Sequence, residues 1–327
     1  MQKVNKIAVL TSGGDAPGMN ACIRAVVRAG MYYKTQVIGV KRGYEGLMEG
    51  DFEDMTARDV SNIIQRGGTM LKSARSDGFR TVEGRERAYR HLKAHHVDAL
   101  IVIGGDGTFK GAMALGSEHD IPIIGIPGTI DNDLYGTDFA IGYDTAINTV
   151  LDAIDKIRDT ADSHDRLFFI EVMGRDAGFI ALRAGIAGGA EAILIPEQTT
   201  DIDKLVESLE NGWHRKKRSS IVIVAEGDEA GGAFEIARKV ETKMKGKYDM
   251  RVTILGHIQR GGNPTCMDRV LASRLGVAAV EALHEGQRGV MIGQVNKRII
   301  FTPLDHAVKH HAQINPELLR VVDILSY

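Results

Sequence analysis

The chain has 327 residues, of which 43% are hydrophobic and 26% charged, and this length suits about two domains. Its formal net charge of −2 gives no reason to expect nucleic acid or an anionic membrane as a partner. Two cysteines, Cys22 and Cys266, exclude a disulfide framework, and no apolar run approaches the roughly 20 residues that span a bilayer. Since Met1 to Leu10 carries no basic and apolar leader, we expect a cytoplasmic protein.

The first predicted strand opens into a glycine-bearing loop. Lys6 to Leu10 is a short apolar run, and residues 11–18 follow it with the sequence TSGGDAPG. A helix with Ile23, Val26 and Val27 on its apolar face comes next. The loop lacks the lysine of a P-loop and does not fit the dinucleotide fingerprint. A helix that begins after such a loop still favours phosphate at its N-terminus.

A second strand near Val37 to Val40 leads to an arginine-bearing segment. Residues 65–69 read QRGGT and residues 72–75 read KSAR. An arginine beside small residues can reach a phosphate, and a solvated surface arginine is the alternative. The segment is therefore a candidate part of an anion site.

The stretch from Asp98 to Asp133 holds two apolar strands that each run into a polar loop. Ala99 to Ile103 and Ile121 to Ile126 are continuous apolar runs, typical of strands buried in a parallel sheet. Residues 109–115 predict the start of a crossover helix between them. Both loops should then emerge at the carboxyl edge of one sheet, where open α/β sheets bind ligands.

Each of these two loops carries residues suited to phosphoryl chemistry. In GGDGT at residues 104–108, the glycines let backbone N–H groups approach an anion, and Asp106 can hold a hard cation through oxygen. In PGTIDND at residues 127–133, two carboxylates and a hydroxyl suit proton abstraction from an alcohol. Both sequences are also common in turns, but two such loops on adjacent buried strands favour a binding site.

The second half of the chain predicts another α/β lobe. A long helix begins at residues 142–145. Further buried strands are predicted at Leu167–Val172, Ala192–Ile195, Ile221–Ala225 and Val252–Leu255. Cationic and imidazole side chains that could bind a phosphate lie at or near strand ends. They are Arg166, Arg175, Arg251, His257 and Arg260.

Seven segments stand in a specific order along the chain: LTSGGDAPGMN, RGGT followed by SAR, GGDGT, PGTIDND, SHDR, EVMGR and LGHIQRGG. In this order and spacing they resemble the ATP-dependent 6-phosphofructokinase family of bacteria, over nearly the whole length. GGDGT alone would also suit a lipid kinase or an NAD kinase. The other six segments decide in favour of the phosphofructokinases.

The resemblance implies an α/β protein of two similar, Rossmann-like three-layer lobes with mostly parallel sheets. Residues 1–141 and 258–304 would form the ATP-binding lobe, and residues 142–257 and 305–327 the lobe that binds fructose 6-phosphate. The implied enzyme is a glycolytic kinase of the cytoplasm. It transfers the γ-phosphoryl group of MgATP to the 1-hydroxyl of fructose 6-phosphate, giving fructose 1,6-bisphosphate and ADP. Family members are usually homotetramers.

The resemblance also implies the roles of individual residues. Asp106 binds Mg²⁺ and Asp131 accepts the proton of the sugar hydroxyl. Thr129, Arg75 and Arg175 complete the catalytic group. The residues around ATP are Gly13, Ser73, Arg75, Gly105, Asp106, Gly107 and Thr108. Those around fructose 6-phosphate are Thr129, Asp131, Met173, Gly174, Arg175, Glu226, His257 and Arg260, joined by Arg166 and Arg251 from a neighbouring subunit.

Two arginines on the first predicted helix suggest an effector site. Arg24 and Arg28 lie four residues apart on the face away from Ile23, and like charges at this spacing cost a helix roughly 0.2–0.5 kcal/mol unless an anion neutralises them. A solvated surface pair is the alternative. The resemblance implies ADP as activator or phosphoenolpyruvate as inhibitor, and it adds the effector residues Arg158, Glu191, Arg215 and Lys217. Arg58 is a further candidate, because it stands next to Ala57, where some relatives place an effector arginine.

Two other functions compete with this interpretation. Diphosphate-dependent phosphofructokinases carry Asp where Gly107 stands and Lys where Gly128 stands, so the glycine pair favours ATP. A catalytically inert regulatory subunit would have no need for Asp106, Asp131 and Arg75 together. The residues leave the choice between ATP and GTP open.

Overall fold

The computed structural model describes residues 4–164, 166–214, 220–244, 247–307 and 314–325, apart from the side chains of Trp213 and Asp323. The chain divides into two compact units: unit 1 is Met1–Thr145 with Arg260–Ala312, and unit 2 is Ala146–Gln259 with Gln313–Tyr327. Of the predicted effector residues, Arg215 and Lys217 lie outside the described residues. In the described part of the chain, no helix has both the length and the apolarity needed to cross a membrane.

Strands and helices alternate along most of the chain. The strands are β1 (Lys6–Thr11), β2 (Gln36–Val40), β3 (Phe52–Met55), β4 (Ala99–Gly104), β5 (Ile123–Pro127), β6 (Arg166–Val172), β7 (Ala192–Leu194), β8 (Ser220–Ala225), β9 (Asp249–Ile254), β10 (Val290–Val295) and β11 (Arg298–Pro303). The helices are α1 (Met19–Tyr32), α2 (Gly43–Glu49), α3 (Val82–Ala94), α4 (Asp106–Glu118), α5 (Tyr143–His164), α6 (Phe179–Ala187), α7 (Ile202–His214), α8 (Ala233–Met244), α9 (Cys266–His284) and α10 (Pro316–Leu325).

Unit 1 is built on a sheet with the strand order β11-β10-β5-β4-β1-β2-β3. The strands from β10 to β2 pair in parallel, whereas the outer strands β3 and β11 pair antiparallel with their neighbours. Alternate residues of the central strands face opposite sides. Leu100 of β4 lies in a core with Leu47 of α2 and Phe109 of α4, while Ile103 on the other face lies near Met19 of α1. Helices therefore cover both faces of this sheet.

Unit 2 is built on a wholly parallel sheet with the order β7-β8-β6-β9. One face packs against α7 and α8 in a core that includes Phe169, Leu209, Val224 and Val240. β6 and β8 are buried along most of their length, which agrees with their continuous apolar sequences. The prediction of an α/β chain with mostly parallel sheets is confirmed.

The unit boundaries differ from the predicted lobe boundaries by a few residues. Residues 142–145 and 305–307 lie in unit 1 and residues 258–259 lie in unit 2, although the prediction assigned each of these ranges to the other lobe. The Asp268 carboxylate explains the first difference, because it accepts hydrogen bonds from the N–H groups of Gly142 and Thr145, each at 2.8 Å. Leu304 and Ala307 belong to the core of unit 1, which explains the second.

Asp268 should make the stability of unit 1 depend on pH. Burial raises its pKa from 3.8 to about 6, against the opposing effect of the hydrogen bonds from Thr145 and Gly142. A raised folded-state pKa means that the native protein binds more protons between pH 4 and 6. The contribution of this group is therefore complete below pH 4, and on the order of 3 kcal/mol is lost as pH rises through 6.

We expect Asp268→Asn to lower the thermal midpoint, because one acceptor of the Gly142 and Thr145 N–H groups becomes a donor. The difference in midpoint between the wild type and the variant should widen as pH falls from 7 to 4.5. Thermal unfolding of both proteins across this range measures it. A difference that stays constant with pH would contradict the assignment of the raised pKa.

Candidate active site

Three loops of unit 1 emerge side by side at the carboxyl edge of its sheet. They follow β1, β4 and β5, which are neighbours, and Thr11 pairs with Ile103 while Gly104 pairs with Pro127. The ladder continues into the loops, because the Ser12 N–H donates to the Ile103 carbonyl at 3.0 Å and the Gly128 N–H to the Gly104 carbonyl at 2.9 Å. The structure thus brings together the three glycine-bearing segments that the sequence singled out.

Gly104 allows the first two loops to touch. A Cβ atom at this position would lie 2.3 Å from Thr108 Oγ1 and 2.5 Å from the Ser12 carbonyl oxygen. In its absence, the Thr108 hydroxyl donates to the Ser12 carbonyl at 3.1 Å. Thr108 is one of the predicted ATP-binding residues, and its hydroxyl here connects the β1 loop to the first turn of α4. Gly13, with φ of +85°, lies beside the same hydroxyl.

Asp106 has the surroundings expected of a metal-binding carboxylate. It is the first residue of α4, and its Oδ1 is buried without a hydrogen-bond partner among the described residues. Its Oδ2 accepts from Lys110 Nζ at 2.7 Å. The buried Oδ1, which has no hydrogen-bond partner among the described residues, is compatible with a Mg²⁺ ion bound through one protein ligand. Mg²⁺ commonly takes its other ligands from substrate phosphates and water.

The β5 loop places Asp131 and Thr129 beside the β4 loop. A Cβ on Gly105 would lie 3.5 Å from the Thr129 Cβ, and the Asp131 N–H donates to Thr129 Oγ1 at 3.2 Å. Asp131 is only 9% exposed. The next residue, Asn132, has φ of +53° and binds residues 138–140 through both ends of its side-chain amide. The predicted base therefore lies on a loop whose backbone is held on both sides.

Ser73 and Arg260 both reach the β1 loop. The Ser73 hydroxyl donates to the Gly13 carbonyl at 2.6 Å, and the Arg260 guanidinium lies against Gly14, 3.2 Å from where a Cβ would be. Arg75, two residues beyond Ser73, is exposed. Ser73 and Arg260 thus both contact the β1 loop of unit 1.

Tyr44 is a residue of this edge that the sequence interpretation missed. Its hydroxyl donates to the Thr108 carbonyl at 2.5 Å, and its ring stacks on Phe79 with the centroids 4.0 Å apart. Burial raises the pKa of the Tyr44 hydroxyl, which therefore stays a donor at neutral pH. Gly111, one turn into α4, lies against both rings. An aromatic in the helix after β2 is too common to have identified this contact.

In unit 2, the loop after β6 is folded around the Glu226 carboxylate. Glu226 Oε1 accepts from the N–H groups of Gly174 at 3.3 Å and Arg175 at 2.8 Å. Both residues have positive φ, 143° and 53°, so the carboxylate stabilises a strained backbone. Gln259, which is fully buried, accepts from the Met173 N–H at 3.2 Å. His257 is exposed in the short 3₁₀ helix that contains Gln259.

Arg166 and Arg251 lie away from this loop. Both bind the Asp249 carboxylate, Arg166 through Nε at 3.0 Å. Arg166 is the first residue of β6 and Val172 the last, so about 20 Å of strand separates Arg166 from the Met173–Arg175 loop. The structure does not bring these two arginines together with Arg175 and Glu226 within one chain.

The predicted effector residues occupy several elements. Arg24 is half-buried on α1, and burial, then the neighbouring Arg28, lower its pKa. Arg58 is exposed in the loop after β3. In unit 2, Arg158 donates to the carbonyls of Gly188 and Gly189, while Glu191 accepts from the Ile221 N–H at 2.5 Å. These two side chains thus stabilise the segment between α6 and β7.

Glycine loops at a parallel sheet edge, with the carboxylates of Asp106 and Asp131 beside them, are typical of phosphotransferases. The protein-family model described as Phosphofructokinase matches residues 6–283. The chain is 56% identical over 326 residues to ATP-dependent 6-phosphofructokinase 2 of Bacteroides thetaiotaomicron, covering 100% of both. It is 56% identical over 323 residues to ATP-dependent 6-phosphofructokinase 1 of Thermus thermophilus, covering 99% of this chain and 100% of the relative. The chain therefore belongs to the phosphofructokinase family, and the predicted resemblance is confirmed.

Solved structures show the same fold. The chain matches phosphofructokinase from Saccharomyces cerevisiae with a TM-score of 0.87 and 38% identity, covering 98% of this chain and 47% of the yeast chain. It also matches a pyrophosphate-dependent phosphofructokinase from Marinobacter aquaeolei with a TM-score of 0.82 and 22% identity, covering 98% and 91%. The second likeness concerns the fold alone. The chain spans about half the length of the yeast protein and nearly all of the bacterial one.

We expect Glu226→Ala to disorder the loop after β6. The N–H groups of Gly174 and Arg175 lose their acceptor, so the positive-φ backbone is no longer held. Hydrogen exchange of a peptide covering residues 173–178 should accelerate, while exchange in α8 stays unchanged. Glu226→Gln keeps one acceptor oxygen and serves as the control. Unchanged exchange in Glu226→Ala would show that the loop holds its shape without the carboxylate.

Proposed function

We propose that the chain transfers the γ-phosphoryl group of MgATP to the 1-hydroxyl of fructose 6-phosphate, yielding fructose 1,6-bisphosphate and ADP as a step of glycolysis. Family membership and full-length similarity to bacterial ATP-dependent enzymes support the reaction. The observation that carries the assignment of residues is the convergence of the loops after β1, β4 and β5 in unit 1. A coupled assay of the purified protein with fructose 6-phosphate against ATP, GTP and diphosphate tests it.

Unit 1 is the proposed ATP lobe and unit 2 the proposed fructose 6-phosphate lobe. Backbone N–H groups of the glycine loops donate to the nucleotide phosphates, and Arg75 offsets their charge. The proposed ATP-binding residues are Gly13, Ser73, Arg75, Gly105, Asp106, Gly107 and Thr108. The proposed sugar-phosphate residues are Thr129, Asp131, Met173, Gly174, Arg175, Glu226, His257 and Arg260.

Asp131 is the proposed general base. Phosphoryl transfer needs mainly positioning, charge neutralisation and a group that orients the attacking hydroxyl. Asp131 accepts the hydroxyl proton, and Thr129 helps to orient that hydroxyl. Arg75 and Arg175 stabilise charge that spreads over the transferred phosphoryl oxygens. Mg²⁺, when bound at Asp106 together with ATP, supplies further charge neutralisation.

ATP is the proposed donor rather than diphosphate. A Cβ on Gly107 would meet no atom within 4 Å, so this position leaves space beside the first turn of α4 for the rest of a nucleotide. A Cβ on Gly128 would lie 3.0 Å from an Ile103 methyl carbon, so a lysine there would press on the core. An aspartate at 107 would also repel the α-phosphate.

Arg166 and Arg251 are proposed to bind the sugar phosphate of a neighbouring subunit in a homotetramer. Their separation from the Met173–Arg175 loop along β6 supports this, because an arginine side chain spans much less than about 20 Å. A cytoplasmic location is also proposed. Free thiols at Cys22 and Cys266 support it, since paired cysteines are typical of oxidising compartments.

We predict that Asp131→Asn lowers kcat by roughly 10²–10⁴-fold, because an amide cannot accept the hydroxyl proton. The KM for fructose 6-phosphate should change much less, since the amide keeps the size of the carboxylate. Steady-state kinetics measures both constants, and Asp133→Asn on the same loop is the matched control. Near-normal turnover in Asp131→Asn would show that another group is the base.

An anionic effector, ADP as activator or phosphoenolpyruvate as inhibitor, is proposed to bind near Arg24 and Arg28, with Arg58, Arg158 and Glu191 as further contacts.

We expect the concentration of fructose 6-phosphate that half-saturates the enzyme to shift by about 5–150-fold between ligand-free and effector-bound enzyme. A protein with Arg24→Ala and Arg28→Ala should lose this response at unchanged kcat. Curves that superimpose in the wild type would refute the effector site.

A further inference from the structure

Asn20 connects α1 to a long loop of unit 1 through three hydrogen bonds. It is the second residue of α1 and is only 3% exposed. Its Nδ2 donates to the carbonyls of Arg66 at 3.2 Å and Gly67 at 3.1 Å, and its Oδ1 accepts from the Met70 N–H at 2.7 Å. All three hydrogen bonds therefore go to backbone groups about 50 residues further along the chain.

The loop that Asn20 holds has no helix or strand of its own. It runs from the end of β3 at Met55 to the 3₁₀ helix at Gly78–Arg80, and it carries Ser73 and Arg75. Loops of this length without secondary structure are uncommon in a compact unit, and they are usually either functional or disordered. The Thr11 hydroxyl at the end of β1 also binds this loop. It donates its proton to the Lys72 carbonyl at 3.0 Å, and it therefore accepts from the Thr69 hydroxyl at 2.8 Å.

Asparagine suits this position better than any residue of similar size. Two carbonyls and one N–H surround the side chain, so the site needs two donors and one acceptor, which a carboxamide provides. Aspartate has the same shape, but it would turn an oxygen toward the carbonyls of Arg66 and Gly67. Alanine would leave all three backbone groups without this partner.

Close contact between backbones further restricts the course of this loop. A Cβ on Gly67 would lie 2.2 Å from the Gly262 carbonyl oxygen, so the backbone touches a neighbouring segment directly at the point that Asn20 binds. Gly68, with φ of +66°, then turns the chain toward Thr69 and Met70. The course of the loop from residue 66 to 70 thus depends on Asn20 on one side and on Gly262 on the other.

We propose that Asn20 is the positioning residue that fixes the loop carrying Ser73 and Arg75 against the β1 loop. The short distance along the chain supports this proposal. Met70, whose N–H binds Asn20, is only three residues before Ser73, and the Ser73 hydroxyl donates to the Gly13 carbonyl. A shift of the loop at Met70 moves the guanidinium of Arg75 relative to Gly13 and Asp106. This proposal rests on the proposed ATP site.

The test compares Asn20→Asp with Thr35→Ala. Thr35 is 4% exposed and its hydroxyl donates to the Val4 carbonyl at 3.2 Å. It therefore matches Asn20 in burial, but it lies before β2, at the opposite edge of the sheet. Asn20→Asp should lower kcat with ATP on the order of 10²-fold, as misplaced catalytic groups do, and should raise the KM for ATP. Thr35→Ala should lower the thermal midpoint and leave both constants within about twofold of the wild type.

Limited trypsin digestion measures directly how accessible the backbone of this loop is to a protease. Arg66, Lys72 and Arg75 are cleavage sites within it, and we expect faster cleavage at these three positions in Asn20→Asp but not in Thr35→Ala. Loss of folded enzyme alone would lower kcat without changing the KM for ATP, so a raised KM separates positioning from stability. Unchanged cleavage, or kinetics like those of Thr35→Ala, would overturn the proposal.

Asn20→Ser is the second variant in case the buried carboxylate prevents folding. It removes the two donors without adding charge, and the same kinetic and digestion results are expected. If both variants unfold at the assay temperature, Asn20 supports the whole unit rather than the loop and the proposal is wrong. If the wild type lacks kinase activity, the proposed function fails, whereas the digestion result still tests the contact between Asn20 and the loop.

Discussion

In each unit, the candidate functional residues depend on how closely the backbone of one loop can approach the next. In unit 1, a Cβ on Gly104 would lie 2.3 Å from the Thr108 hydroxyl oxygen. In unit 2, a Cβ on Gly227, just after β8, would lie 1.9 Å from the Arg175 carbonyl oxygen. Each glycine lets one loop lie directly on the next, so polar groups of different strands share one edge. A larger residue at either place would separate loops that the chemistry needs together.

Most strands of both sheets could be predicted from the sequence, whereas β3, β10 and β11 of unit 1 could not. β4 and β8 are continuous apolar runs because both faces are covered. β3 reads FEDM and is only partly buried, so its strand character comes from pairing with β2 rather than from its own residues. β10 and β11 are joined at Asn296 and Lys297, which both have positive φ. A glycine after the asparagine would have signalled this hairpin.

Residues that carry chemistry were also easier to predict than residues that hold them in place. Asp106, Thr129 and Asp131 stand in short polar loops after apolar strands, so position alone makes them candidates. Asp268 and Gln259 act through hydrogen bonds to Gly142, 126 residues away, and to Met173, 86 residues away. No local pattern contains such a pair, because only the fold brings its members together. Supporting residues of this kind are therefore recognised only once the fold is known.

The positions of Arg166 and Arg251 limit which of the proposed phosphate-binding residues can come together within one chain. β6 pairs with β9 in parallel, and Arg166 lies opposite Asp249 at the amino end of both strands. The Met173–Arg175 loop begins at the carboxyl end of β6, about 20 Å further on. A phosphate is only a few ångströms across, so Arg166 and Arg175 of one chain could both contact it only with their side chains extended toward each other. The proposal that a neighbouring subunit supplies Arg166 removes this demand, because Arg166 then need not reach along β6 to the loop of its own chain.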